Sequence, residues 1–357
     1  MAAPVRIRDD NNNRKVNMSD TVLLPQEGFL PGIPCLFSCD DPVYEALVFT
    51  TRFRYCNLHM RALGLRGWGG STLTTEWTIR EVLNWTRGYF EDAGIVQPRL
   101  EAEILLAHAL DVDRLHLYLA PDKPLTHDER TRYRGVVKQR HSGTPLQYVI
   151  GEVSFYGLRF RVDRKTLIPR AETEELLDQV IKRAPRDRDI RCLDLGTGTG
   201  VIAVCMARYL PKAHVTAVDI SPAAIEMAQG NAALNGVEDR IEFVESDWFS
   251  RVEGDFDFIA SNPPYIRTSE LPGLPKEVRD HEPVIALDGG ADGLAKIRMI
   301  ASQLRSHLRA DGKILMEIGH DQGEGVREIL MSVGLADICI EQDMAGKDRF
   351  AVGRCPS

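Results

Sequence analysis

Ser261-Asn262-Pro263-Pro264-Tyr265 sets an amide, two rigid imide rings and a phenol in succession. Asn262 offers one acceptor oxygen and two N–H donors. Consecutive prolines fix φ twice and remove two backbone donors. The Pro263 carbonyl is thereby left without a nearby helical or strand partner and can face a pocket. Tyr265 adds a flat ring with a polar tip. A planar –NH2 group would suit this set. The Asn262 side-chain oxygen and the Pro263 carbonyl could each accept one N–H, with Tyr265 stacked on the plane and the lone-pair face open to an electrophile. The blander reading is a Pro-Pro turn closing a strand, and a motif this short carries false-positive risk.

A second constellation sits upstream. Leu193-Asp194-Leu195-Gly196-Thr197-Gly198-Thr199-Gly200 ends one apolar run and opens another. Glycines there permit a tight turn and close approach of a ligand to the backbone. Asp219 ends the next apolar run about 20 residues on, where an acid grips ribose hydroxyls. The spacing is Gly-x-Gly-x-Gly, which departs from the Gly-x-Gly-x-x-Gly dinucleotide fingerprint, and no Gly-Lys-Ser/Thr marks a P-loop. The same arrangement serves S-adenosylmethionine, which has a ribose but no phosphate. Its cationic sulfonium is not repelled by Asp194 as a pyrophosphate would be. Asp247 can accept from an adenine amine and Trp248 can cover the ring, although Trp248 reads equally as a core aromatic and Asp219 as an acid opening the next helix.

The elements that position these residues are legible from period. From Ile190 onward strand and helix patterns alternate, as in a doubly wound, mostly parallel α/β sheet. The strand candidates are 191–195, 214–218, 241–244, 256–260 and 313–318, with 336–341 and 349–352 as a terminal pair. The run 256–260 is apolar throughout, as expected of a strand buried on both faces, and ligands in such sheets lie at the carboxyl ends of strands. Ser221-Pro222 starts a helix and Asn235-Gly236 stops it. Upstream, helical patterns over 78–94, 99–110, 114–119 and 124–141 predict a small helical domain spanning 74–144. A hairpin around Gly157 lies in a linker over 145–170, and the stretch from Ile168 opens a helix to about Ala184 at the head of a catalytic domain, 171–357.

Residues 1–73 show no sustained period and supply no motif residue, so they are expected to be a disordered or loosely attached leader. Cys35, Cys39, Cys56 and His59 are too irregularly spaced for a zinc site, and no metal is expected elsewhere. Seven cysteines, odd in number and scattered, suit reduced thiols in the cytoplasm. A net charge of −8 disfavours broad binding to duplex nucleic acid. No apolar run reaches the ~18 residues of a membrane span.

The ordered set Asp194 to Gly200, Asp219, Asp247-Trp248-Phe249 and Asn262-Pro263-Pro264-Tyr265 resembles the class I methyltransferases that modify planar amino groups. More narrowly, it is similar to the PrmC/HemK family of peptide-chain release factor glutamine N5-methyltransferases. The narrower marks are Gln147-Tyr148, Gly151-Glu152, Ile168-Pro169-Arg170-Ala171-Glu172-Thr173-Glu174, and Glu282-Pro283 followed by Ala286-Leu287. The resemblance covers about 78–353 and implies a seven-stranded class I S-adenosylmethionine-dependent fold. It implies that Gly196, Thr197, Gly198, Thr199, Gly200, Asp219, Trp248 and Asn262 contact S-adenosylmethionine. It further implies that Asn262, Pro263, Pro264 and Tyr265 hold the glutamine of a release factor's Gly-Gly-Gln loop, with the helical domain gripping the factor. The expected enzyme is a cytoplasmic monomer. The competing readings are an amino-methyltransferase acting on DNA adenine or cytosine or on RNA guanine, a nucleotide-binding scaffold without turnover, and an NAD-dependent oxidoreductase.

Overall fold

The structure is a computed structural model that describes residues 77–357. The expectations placed on 1–73, including the cysteine and histidine set, lie outside the described residues. The chain first builds helices α1 (Ile79–Asp92), α2 (Pro98–Leu110), α3 (Arg114–Leu119), α4 (His127–His141) and α5 (Leu146–Ile150). Helix α1 opens with a capping box: the Thr78 hydroxyl accepts from the Glu81 N–H, and the Glu81 carboxylate accepts from the Thr78 N–H. Thr126 and Glu129 repeat the device at α4. Pro98 takes the first position of α2, where its missing N–H has no intrahelical partner to lose. Ile79, Val82 and Phe90 of α1 pack with Leu105 and Leu106 of α2 and Tyr133 and Val137 of α4 in a core of their own.

Strands β1 (Glu152–Phe155) and β2 (Leu158–Arg161) form the hairpin around Gly157. The remaining elements are α6 (Ala171–Arg183), β3 (Ile190–Leu195), α7 (Val201–Tyr209), β4 (Ala213–Asp219), α8 (Pro222–Leu234), β5 (Ile241–Glu245), β6 (Phe256–Ser261), β7 (Ile266–Arg267), α9 (Lys276–His281), β8 (Asp288–Gly290), α10 (Ala295–His307), β9 (Leu308–Glu317), α11 (Gly323–Ser332), β10 (Ala336–Gln342) and β11 (Asp348–Arg354). The main sheet has seven strands in the order β10-β11-β9-β6-β3-β4-β5. Strands β5, β4, β3, β6 and β9 are parallel, and β11 inserts antiparallel between β9 and β10.

Alternation along each strand builds two cores. Cys192, Val215, Phe258 and Ala260 face α6 and α7, whereas Leu193, Leu195, Ile259, Ile314 and Met316 face α10 and α11. All six residues of β6 are buried, which accounts for its unbroken apolar run. Three features depart from expectation. Helix α5 lies in the stretch expected to be linker, and its Leu146, Val149 and Ile150 pack on the helical core, one turn being too short for a period to reveal. Helix α6 begins at Ala171, three residues later than Ile168, because Pro169 disfavours a helical conformation in the residue before it. The chain between β6 and α10 also holds β7, β8 and α9, elements too short for a period to reveal.

Candidate active site

The strand order reverses between β3 and β6. From β3 the chain winds outward through β4 to β5, then returns to lay β6 on the other side of β3. A crevice opens at the carboxyl ends of strands where neighbouring connections part in this way. The two sequence constellations leave from those two ends. Leu195 and Ser261 are register partners, and the Ser261 hydroxyl donates to the Leu195 carbonyl at 2.8 Å. The glycine loop and Asn262 therefore start side by side, although more than sixty residues separate them in sequence.

The cleft that results is walled by Gly196, Thr197, Gly198 and Thr199 from the loop after β3, by Asp219 at the end of β4, by Asp247 and Trp248 after β5, and by Asn262 and Pro264 after β6. Its rims are the 165–170 segment and the Pro283–Ala286 stretch. Arg170 ties these rims together through a 2.6 Å bond to the buried Glu282. Farther out, Arg140 of α4 pairs with Glu101 of α2 and with Glu277 of α9, which ties the helical part to the segment after the Asn-Pro-Pro-Tyr stretch.

The loop glycines have different reasons. All three adopt positive φ. A side chain at Gly198 would meet nothing within 4 Å, so this residue faces open space. A Cβ at Gly200 would lie 2.9 Å from the Ala228 Cβ and 3.0 Å from its Cα, so that glycine is demanded by the close packing of α8. Gly200 does not border the cleft. Gly196 lies against the Trp248 ring, which would sit 3.6 Å from a Cβ there. Trp248 itself holds φ +49°, a strained conformation for an aromatic residue, with its carbonyl accepting from the Ser246 hydroxyl.

Asp194 is wholly buried and has a structural task. Gly200, the residue before α7, has no side chain to cap that helix. One Asp194 oxygen takes over, accepting from the Ala203 N–H at 3.0 Å and the Thr197 hydroxyl at 2.6 Å. Its other oxygen has no partner among the described residues. Burial pushes the carboxyl up to about 7, against the pull of those two bonds. Asp219 is raised by burial as well, while one of its oxygens accepts from the Gly198 N–H and the other from the Ser221 N–H, each at 2.9 Å.

Asn262 is held from behind. Its Nδ2 donates to the Thr173 hydroxyl oxygen at 3.0 Å, and that hydroxyl donates to Glu317 Oε2 at 2.7 Å. Tyr265 donates to Glu317 Oε1 at 3.0 Å. Glu317 closes β9 and is fully buried. Burial raises its pKa, partly offset by the two hydroxyl donors and by Arg349. Pro263 is buried, and neither it nor Tyr265 lines the cleft. Among the described residues no group donates to the Pro263 carbonyl. Thr173 and Arg170 belong to a stretch singled out in the sequence. Glu317 was missed, because an acid ending an apolar strand has no sequence signal that ties it to Asn262.

Two family models match the chain: the PrmC N-terminal domain over residues 81–151 and the methyltransferase small domain over 172–272. The release factor glutamine methyltransferase of Geobacter sulfurreducens is 44% identical over 280 residues, covering 78% of this chain and 97% of that protein. The chain belongs to the release factor glutamine methyltransferase family. The family's member from Koribacter versatilis is 40% identical over 282 residues, covering 78% of this chain and 99% of its own. The Xylella fastidiosa member is 42% identical over 259 residues, covering 72% and 94%. The methyltransferase model spans both halves of the cleft described above, from α6 through the Asn-Pro-Pro-Tyr stretch. Among the described residues no group of His, Cys, Asp and Glu could hold a metal ion, and no helix is long and apolar enough to cross a membrane.

Proposed function

We propose that this chain transfers a methyl group from S-adenosylmethionine to the side-chain amide nitrogen of the glutamine in the Gly-Gly-Gln loop of a peptide-chain release factor. The observation that carries this reading is the orientation of Asn262. With Nδ2 occupied by Thr173, its Oδ1 is left to accept an N–H from a ligand in the cleft that the glycine loop also walls.

The residues present fit S-adenosylmethionine. Gly198 leaves open space at the loop, and each Asp219 oxygen keeps a lone pair for a ribose hydroxyl after accepting one backbone N–H. Trp248 provides a face for adenine beside Gly196. In this reading Gly196 to Thr199, Asp219, Trp248 and Asn262 hold the cofactor, and Gly200 acts by seating α8 against the loop. The bound cofactor supplies an electrophilic methyl on a sulfonium.

The chain's own part is to make a poor nucleophile react. An amide lone pair is delocalised, and no strong base stands in the motif. Asn262 Oδ1 accepts one N–H in the cleft, and the Pro263 carbonyl, which takes no donor from the described residues although Pro263 does not line the cleft, is assigned the other, so that together they draw the nitrogen toward pyramidal geometry. Positive charge grows on that nitrogen during transfer, so these acceptors stabilise the transition state more than the ground state. Pro264 borders the cleft on the substrate side, Tyr265 acts from behind it through its bond to Glu317, and the proton leaves to water. The enzyme works in this reading as a cytoplasmic monomer, with the helical part over 77–150 gripping the release factor.

The test is the intact mass of a release factor after incubation with the protein and S-adenosylmethionine. One added methyl is expected, absent when the Gly-Gly-Gln glutamine is replaced. Asn262→Ala should lower kcat on the order of 10²-fold. Methyl label entering DNA or RNA and not the release factor would refute the assignment, and near-wild-type turnover of Asn262→Ala would refute the mechanism.

A further inference from the structure

Asn262 carries the proposed chemistry only if its amide faces the right way round. The two ends of an amide have nearly the same shape, so the surrounding donors and acceptors decide which end turns inward. The Thr173 hydroxyl has one hydrogen. It is spent on Glu317 Oε2 at 2.7 Å, which leaves Thr173 only lone pairs to offer Asn262 at 3.0 Å. Asn262 must therefore turn its N–H inward and its oxygen outward. Glu317 starts this one-way chain in its ionised form, because a carboxylate only accepts, and the Tyr265 hydroxyl donates to its other oxygen at 3.0 Å.

We propose that Glu317 and Thr173 are positioning residues for methyl transfer: the Glu317–Thr173 pair locks the Asn262 amide with Oδ1 toward the cleft. The proposal rests on the reading of Asn262 as acceptor for the substrate –NH2. It deepens that reading by naming what fixes the acceptor's direction. The burial of the pair supports it. Glu317 is 1% exposed and Thr173 2% exposed, so water does not compete for either oxygen. The three parts come from different elements, with Thr173 on α6, Glu317 at the end of β9 and Asn262 just past β6. The end of β6 can face substrate correctly only when α6 and β9 are both seated. Tyr265 shares the carboxylate, so the same anchor holds the two polar side chains of the Asn-Pro-Pro-Tyr stretch.

Replacing Glu317 by Gln places an amide N–H where one acceptor was. If that N–H meets Thr173, the hydroxyl turns its hydrogen to Asn262, and the Asn262 amide flips to present Nδ2 to the cleft. A flipped Asn262 would oppose an incoming N–H with an N–H. Thr173→Ser keeps the one-way hydroxyl, and Thr173→Val removes it at nearly constant volume.

The experiment uses the full chain with a release factor as methyl acceptor. It compares kcat, KM for the release factor and the dissociation constant of S-adenosylmethionine for Thr173→Ser, Thr173→Val, Glu317→Gln and Asn262→Ala, with melting temperatures alongside. The expected result is near-wild-type kcat for Thr173→Ser. Thr173→Val and Glu317→Gln should lose on the order of 10²-fold in kcat, the scale of a misplaced reacting group, with cofactor affinity retained. A role in stability alone would lower the melting temperature and leave kcat of the folded fraction intact. Should Glu317→Gln fail to fold, the Thr173→Ser and Thr173→Val pair decides by itself. Wild-type kcat in Thr173→Val with an impaired Asn262→Ala would overturn the lock and leave the site reading standing. Wild-type kcat in Asn262→Ala would overturn both.

Discussion

Asp194 makes folding stability depend on pH in a direction that can be measured. Its carboxyl has an ordinary value of 3.8 and is pushed up to about 7 by complete burial in the folded protein. A carboxyl raised on folding binds its proton more tightly in the folded state. Its contribution is therefore favourable below 3.8 and is lost as pH rises through about 7. Across that interval, at ~1.36 kcal/mol per pH unit, the loss is about 4 kcal/mol. That is a large share of the roughly 5–15 kcal/mol that holds a folded domain together. Asp194→Asn removes the titration and keeps an oxygen for the Ala203 N–H and the Thr197 hydroxyl. Its new –NH2 lands where the unpartnered oxygen stood, at a cost of roughly 1–3 kcal/mol that does not change with pH. The assay is chemical denaturation of both proteins at a series of pH values from 4 to 8. The wild-type curve should fall relative to the variant by about 4 kcal/mol, most of it below about pH 7. Other carboxyls raised by burial and not coupled to Asp194, such as Glu317, contribute to both curves and cancel in the difference. Parallel curves would refute the reasoning, because they would mean that Asp194 is charged at neutral pH without penalty.

Further outcomes follow from the same geometry. Asp219→Ala should weaken S-adenosylmethionine binding by ~1.5–3 kcal/mol through lost charge-assisted bonds, and unchanged affinity by calorimetry would remove Asp219 from the site. Gly200→Ala should destabilise the fold by roughly 2–5 kcal/mol, because the new methyl meets the Ala228 backbone at a left-handed φ of +83°; denaturation measures it, and wild-type stability would contradict the packing argument. A chain beginning at Thr74 should match the full chain in cofactor affinity and turnover, since the PrmC N-terminal match begins at residue 81; an inactive product would move the domain boundary.

The sequence by itself determined the α/β alternation, the seven strands and both constellations. Each of these is a local property. A strand buried on both faces must be apolar throughout, as at Phe256–Ser261, and a tight turn at a strand end needs glycine, as at Gly196. What each glycine is for was not local. Gly198 faces the cleft and Gly200 faces Ala228, a distinction that exists only once α8 has packed. The same holds for Asp194, which reads in sequence as an acid near a cofactor and in the structure caps α7 for want of a side chain at Gly200. Tertiary structure alone joined Asn262 to Thr173, 89 residues away, and Thr173 to Glu317, 144 residues away. Periodicity reports which face of an element is buried, but not which buried polar atom will meet which. That pairing is decided by strand order, here by the return of β6 to the far side of β3 and the placing of β9 beside it.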